Sequence, residues 1–280
     1  MTVINSNIGS LYAQQAMNTN ARGLATVMQQ LSTGKRINNA VDDVAGMSIS
    51  TRLTSQIRGL NQAIRNVNDG ISLIQTAEGA TEQVTNMLQR MRELAVQASN
   101  DTNNTSDRSY LDLEYQALNR ELDRVASQTQ WNGSDILNGP ARDLGTGVFS
   151  FQVGANAAQT IEVTLPNLRT QGSGRLSDIA ATQVTDTLKA SSALGIISSG
   201  LDTVSYERAN MGAVISRLQF TGDNLANVSA KAQESRSRIE DTDYSQATTE
   251  LAKRNIIQQA AQAMLAQANQ APQLVLQLLR

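Results

Sequence analysis

Large apolar residues recur along most of this chain at alternating steps of three and four. That is the spacing of a helix burying one stripe against other helices. Leu73, Ala77, Ala80, Val84, Met87, Met91, Leu94 and Ala98 keep the step without a break, and Leu111, Tyr115, Leu118, Leu122, Val125 and Thr129 repeat it. The polar stretch DTNNTSD, Asp101 to Asp107, lies between them and reads as a short turn between antiparallel helices. A third run, Leu194, Ile197, Leu201, Val204, Arg208, Met211, Ile215, Leu218, Gly222 and Leu225, is interrupted only by Arg208 and Gly222. The expected fold is mainly α, a long antiparallel helical bundle.

One region follows another period. In GVFSFQVGANAAQTIEVTLPNL, Gly147 to Leu168, apolar residues alternate with polar ones at Phe149, Phe151 and Val153, then at Ile161, Val163 and Leu165. The GANAA between them supplies a turn, so a small β-hairpin is expected near 147–168. Asn132-Gly133 and Asn138-Gly139-Pro140 punctuate its approach.

The two ends share the helical pattern and little charge. Residues 1–21 and 255–279 carry no Asp, Glu, Lys or Arg. Near the start, Ile4, Ile8 and Leu11 precede Met17, Ala21, Leu24, Met28 and Leu31, and Gly34 before Lys35-Arg36 reads as a helix stop. In the tail, Ile257, Ala261, Met264, Ala268, Ala271, Val275 and Leu278 keep the same step, with Ala260, Leu265, Leu274 and Leu279 widening the apolar face. These patterns predict one coiled-coil domain made from both termini, 1–44 with 240–280, beside a bundle domain, 45–239. A tail helix alone buries too little to offset the entropy of ordering it. Copies of the same helix pair would cover it, with the Gln- and Asn-rich face toward a lumen, so both ends are expected to fold on assembly. The candidate assembly residues are Ile4, Ile8, Leu11, Met17, Leu24, Met28, Leu31, Ile257, Met264, Leu265, Val275 and Leu278.

Composition narrows the chemistry. The 280 residues include no cysteine and no histidine, so thiolate metal sites, disulfides and the commonest general base are absent. A net charge of −2 gives no electrostatic footprint for nucleic acid. No signal peptide or transmembrane helix is expected, because the start lacks a basic and apolar pattern and Gln and Asn interrupt the tail. Interfacial membrane helices carry basic polar faces and aromatic anchors, which the tail lacks before Arg280. Asp42-Asp43 and Glu240-Asp241-Thr242-Asp243 lack the spacing of a calcium loop and read as helix-start and ion-pair residues. No serine has a histidine to activate it and no GxSxG elbow occurs, so no enzyme, cofactor or metal is predicted.

Several long motifs resemble bacterial flagellin. They are LSTGKRINNAVDDVAG at Leu31 to Gly46, then NVNDGISLIQTAEGA, LQRMRELAVQA, QTQWNG and FQVGAN, and finally SRIEDTDY at Ser237 to Tyr244 and LAQANQAPQLVLQLLR at Leu265 to Arg280. The resemblance covers roughly residues 1–160 and 190–280. No room for variable outer domains remains between Leu168 and Leu188, so it implies a short, two-domain form; Trp131 stands where the family more often has Phe. It implies a structural subunit that leaves unfolded through the flagellar type III export channel and polymerises into an extracellular helical filament for motility. Implied partners are further copies of the chain, an export chaperone holding about Asp241 to Arg280, and the filament cap and junction proteins. The host Toll-like receptor for flagellin is a further implied partner. Receptor contacts would fall on Gln89, Arg90, Glu93, Leu94 and Glu114, although from spacing alone Leu94 belongs to a bundle seam and Arg90 and Glu114 are ordinary surface charges. Two other readings are a hook–filament junction adaptor and a type III-secreted translocator with membrane-active helices.

Overall fold

The computed structural model describes residues 6–139, 147–172 and 174–278, with side chains described as far as Gln270. Among these, the helices are α1 (Ile8–Thr33), α2 (Val44–Ala98), α3 (Thr105–Gln128), α4 (Ser177–Ala180), α5 (Thr187–Glu240) and α6 (Tyr244–Leu278). Two antiparallel hairpins lie between α3 and α4: β1 (Gln130–Trp131) with β2 (Ser134–Asp135), and β3 (Val148–Gln152) with β4 (Thr160–Thr164). The mainly α expectation with a small β region is met. The chain divides into two compact units, one of residues 58–229 and one formed by residues 1–57 with 230–280.

Within the 58–229 unit, α2 supplies the central seam. Leu60, Ala63, Val67, Ile74, Ala77, Val84, Leu88, Met91, Ala95 and Ala98 are all buried. Ala77, Val84, Met91 and Ala98 were expected there, but the other half of the seam is Ile74, Thr81, Leu88 and Ala95, one residue on from Leu73, Ala80, Met87 and Leu94. Leu73 and Leu94 are buried too, so α2 is covered over a wider arc than a two-helix stripe. Thr81 tolerates full burial because its Oγ1 donates to the Ala77 carbonyl at 2.6 Å. On α5, Ala190, Ile197, Val204, Met211, Leu218 and Leu225 are buried at intervals of seven, the a positions of a heptad. Ser229 Oγ to Asn61 Oδ1 (3.0 Å) and Arg208 to Glu78 (3.8 Å) show α5 running antiparallel to α2.

Helix α3 begins at a capping box, in which Asn104 Oδ1 accepts from the Asp107 N–H and the Asp107 side chain accepts from the Asn104 N–H. Its buried stripe is Tyr115, Asn119, Leu122 and Ala126. Tyr115 pairs its hydroxyl with Thr182 Oγ1 at 2.6 Å, and burial raises its pKa above the ordinary value. The β3–β4 hairpin pairs Phe149 with Val163 and Phe151 with Ile161, so the alternating residues of both strands turn inward as expected. It rests on α2 at two glycines. A Cβ on Gly70 would stand 3.2 Å from the Phe151 ring, and one on Gly59 would stand 2.8 Å from Ala155 Cβ.

Candidate assembly and recognition surfaces

In the unit of residues 1–57 and 230–280, α1 and α6 pair antiparallel. Asn7 Nδ2 donates to the Ala268 carbonyl (2.8 Å) at one end, and Tyr244 OH donates to the Leu31 carbonyl (3.3 Å) at the other. Midway, the buried Asn20 donates to the Arg254 carbonyl (2.9 Å) and to Gln258 Oε1 (3.0 Å). Arg254 lies over Gly23, the one α1 position where its guanidinium replaces a side chain, and pairs with Glu250 at 3.0 Å. Buried or half-buried positions run Ser10, Ala13, Met17, Asn20, Leu24, Val27 and Leu31 on α1. The matching set on α6 is Ala247, Leu251, Arg254, Gln258, Ala261, Leu265 and Ala268. Three polar side chains in the centre fix the register of a seam that is otherwise lined with small and aliphatic residues.

This arrangement sorts the assembly residues read from the sequence. Ile8, Leu11, Met28, Ile257 and Met264 stand outside the seam and are exposed, Leu11 at 62% and Met264 at 65%. Met17, Leu24, Leu31 and Leu265 are half-buried inside the chain's own pair. In the register set by Asn20 and Arg254, those four turn toward the partner helix of the same chain. Ile4, Val275 and Leu278 lie outside the described side chains. Tyr12 and Ile256 are exposed on the same helices and were not among the residues read from the sequence.

Beyond the pair, the turn after α1 meets the break between α5 and α6. Gly34 ends α1 at φ 72°, the left-handed conformation a glycine adopts freely. A two-bond ladder follows, Arg36 N to the Glu240 carbonyl (2.6 Å) and Thr242 N to the Gly34 carbonyl (2.9 Å). Lys35 Nζ reaches Glu240 Oε1 at 2.5 Å, while Ser50 of α2 donates to Glu240 Oε2. The Lys35 bond, and then the Ser50 bond, hold the Glu240 carboxyl below the usual carboxylate range. Asp43 Oδ1 accepts from Gly46 N (2.8 Å) and Asp243 Oδ1 from Ser245 N (2.9 Å), so both acidic clusters serve helix starts and ion pairs.

On the bundle surface, Arg90 bridges two helices. Its Nε donates to Glu114 Oε1 of α3 (2.9 Å) and its Nη1 to Glu93 Oε2 (2.9 Å). The bond to Glu93, followed by that to Glu114, raises the Arg90 pKa above its ordinary value. Gln89 and Glu93 are exposed, and beside them Val96 is an apolar spot framed by Arg92 and Gln97. Leu94 differs. At 1% exposed it belongs to the core, so the expectation that it offers a contact to a receptor is corrected: its helix turns it against the bundle.

The regions that carry these pairs are also the regions with known relatives. The family profile described as "Bacterial flagellin N-terminal helical region" matches residues 4–141, and "Bacterial flagellin C-terminal helical region" matches residues 194–279. The protein from Halalkalibacterium halodurans named "Flagellin" is 45% identical over 278 residues, covering 99% of this chain and 100% of that one. The chain belongs to the bacterial flagellin family. The "Flagellar filament 33 kDa core protein" of Treponema phagedenis is 38% identical over 287 residues, with 99% of this chain and 100% of that protein covered. In fold alone, the chain resembles a protein titled as a flagellar hook-associated protein from Vibrio parahaemolyticus, at a TM-score of 0.60 and 12% identity, over 71% of this chain and 100% of that one.

The two flagellin matches hold the contacts that join the ends of the chain. Asn20 and Lys35 lie in the first, Arg254 and Glu240 in the second, and the β3–β4 hairpin lies between them. This chain joins its two ends through side chains more than two hundred residues apart. The family is structural, not enzymatic.

Proposed function

We propose that this chain is the structural subunit of an extracellular flagellar filament, polymerising through the outer faces of α1 and α6. One observation carries the assembly reading. The α1–α6 pair leaves Ile8, Leu11, Tyr12, Met28, Ile256, Ile257 and Met264 exposed on helices that carry almost no charge. Burial is worth roughly 1.5–3 kcal/mol for each such side chain. A surface of that kind suits copies of itself better than water. Head-to-tail contact between identical chains builds an open helical filament where the rotation does not close into a ring. The terminal domain of 1–44 with 240–280 is the filament core in this reading.

The remaining roles follow from family membership and the tail's character. The subunit is exported unfolded through the flagellar type III channel, with a chaperone holding about Asp241 to Arg280, and meets cap and junction proteins at the filament ends. Host Toll-like receptor recognition falls on Gln89, Arg90, Glu93 and Glu114, the exposed members of that set. Fold alone leaves the junction-adaptor reading open, but identity over the whole length of proteins named flagellin favours the filament subunit. Among the described residues no helix is long and apolar enough to cross a membrane, which weighs against a membrane-inserting translocator.

The test is seeded polymerisation of the full chain beside one ending at Asn255, followed by sedimentation and negative-stain microscopy. Tubes from the full chain and monomer from the shortened one are expected. Equal polymerisation of both would remove α6 from the assembly surface.

A further inference from the structure

The chain holds two Asn-Gly pairs close together, Asn132-Gly133 and Asn138-Gly139, and the fold treats them differently. Asn132-Gly133 is the two-residue turn joining β1 to β2, with φ 48° at Asn132 and 76° at Gly133. Positive φ at both positions is the type I′ signature, which Asn-Gly fills better than other pairs. Both residues are exposed. The Asn132 side chain makes no hydrogen bond to any described residue, and the Gly133 N–H is not donated to any described acceptor. Nothing lies within 4 Å of where a Gly133 Cβ would stand.

Six residues later the same dipeptide is tied down. Asn138 donates to Asp135 Oδ2 (3.4 Å) and accepts from Arg169 (3.4 Å). A Cβ on Gly139 would stand 2.7 Å from Asn167 Nδ2.

We infer that Asn132 is a site of spontaneous deamidation and Asn138 is not. The Gly133 amide nitrogen attacks Asn132 Cγ, its proton is lost, and ammonia leaves, closing a five-membered succinimide. Water then opens the ring. Attack at the side-chain carbonyl gives aspartate, and attack at the main-chain carbonyl gives isoaspartate; the net change is amide plus water to acid plus ammonia, with no oxidation. The reaction is fastest with an attacking nitrogen that has no neighbouring Cβ and an amide side chain free to rotate toward it. Asn132-Gly133 offers both, whereas the two hydrogen bonds on Asn138 oppose the rotation. Each event adds one negative charge to an exposed turn. The isoaspartate product also lengthens the backbone there, which breaks the two-residue register of Trp131 opposite Ser134.

Both sites fall on one tryptic peptide, from Val125 to Arg142, so each chain carries its own control. The native full-length protein is incubated in mildly alkaline buffer, digested and sequenced by tandem mass spectrometry, with a parallel sample kept in urea. Fragment ions should place conversion at Asn132 several-fold ahead of Asn138 in the native sample, and the gap should close in urea. Asn132→Gln should abolish the fast phase. Equal native rates, a faster Asn138, or the same ratio in urea as in the folded chain would each overturn the assignment.

Discussion

The guanidinium of Arg254 on α6 lies across the backbone of Gly23 on α1, occupying the space a side chain at residue 23 would need. In an ordinary helix, alanine is favoured over glycine by about 0.8–1.0 kcal/mol. Here that gain should be reduced. Gly23→Ala should raise the midpoint of thermal filament disassembly less than propensity alone, because Arg254 must leave its seat and loosen its pairing with Glu250. In an Arg254→Ala background the same change should stabilise by about 1 kcal/mol, since only helix propensity is left. A cycle with equal gains in both backgrounds would show that the seat constrains nothing.

Little of this pairing could be read from the chain, and the reason is physical. The heptad step fixes which residues share a face but not how far round the helix the partner sits. On α2 half of the seam lies one residue on from the expected positions, and Thr81 can enter that core because its hydroxyl bonds back to Ala77. On α1 the buried centre is Asn20, which a search for apolar residues passes over, and its partners Arg254 and Gln258 are far away in sequence. Local devices were legible. Gly34 as a helix stop, the polar turn before α3 and the alternating hairpin residues all depend on neighbours in sequence. The Lys35–Glu240 pair depends on the fold, and a run of acids cannot announce which base it meets.

That pair sets a pH dependence. The folded-state pKa of Glu240 is depressed, by Lys35 first and Ser50 second. The carboxylate's stabilising effect is therefore present above the unfolded value, about 4.3, and is lost as pH falls through the lower folded value. Hydrogen exchange at the amides of Arg36 and Thr242, corrected for intrinsic rate, reads the ladder directly. Protection should be greater in the native chain than in Glu240→Gln near neutral pH, and the difference should vanish in acid. A difference that persists below the carboxylate range would mean Glu240 acts through shape, not charge.

On the bundle surface, Leu94 and Arg90 should separate cleanly. Leu94→Ala removes a buried side chain and should cost about 2–5 kcal/mol of stability. Arg90→Ala breaks half-exposed ion pairs that solvent screens, so stability should be nearly unchanged. Chemical denaturation measures both, and binding to the immobilised receptor ectodomain measures recognition. Arg90→Ala should lose binding while its stability holds. Loss of binding by Leu94→Ala should follow its loss of fold, and a stably folded Leu94→Ala that fails to bind would restore Leu94 as a direct contact.

Leu11, Met264 and Leu265 divide the work of the terminal helices. The pair runs antiparallel, with Asn7 beside Ala268 and Asn20 beside Arg254, which brings Leu11 level with Met264. Both are exposed, while Leu265 is turned into the chain's own seam. If the exposed residues are subunit contacts, Leu11→Ser or Met264→Ser should weaken assembly by roughly 1.5–3 kcal/mol for each side chain no longer buried. Every 1.4 kcal/mol is about tenfold in the concentration needed for polymer growth. Leu265→Ser should also weaken assembly, but by disturbing the helix pair within each chain. Pelleting over a concentration series gives the first effect. Hydrogen exchange of α6 within the surviving filaments separates the second, with faster exchange for Leu265→Ser and little change for Met264→Ser. Met264→Ser filaments that form at the wild-type concentration would show that this face of α6 is not buried by a neighbour.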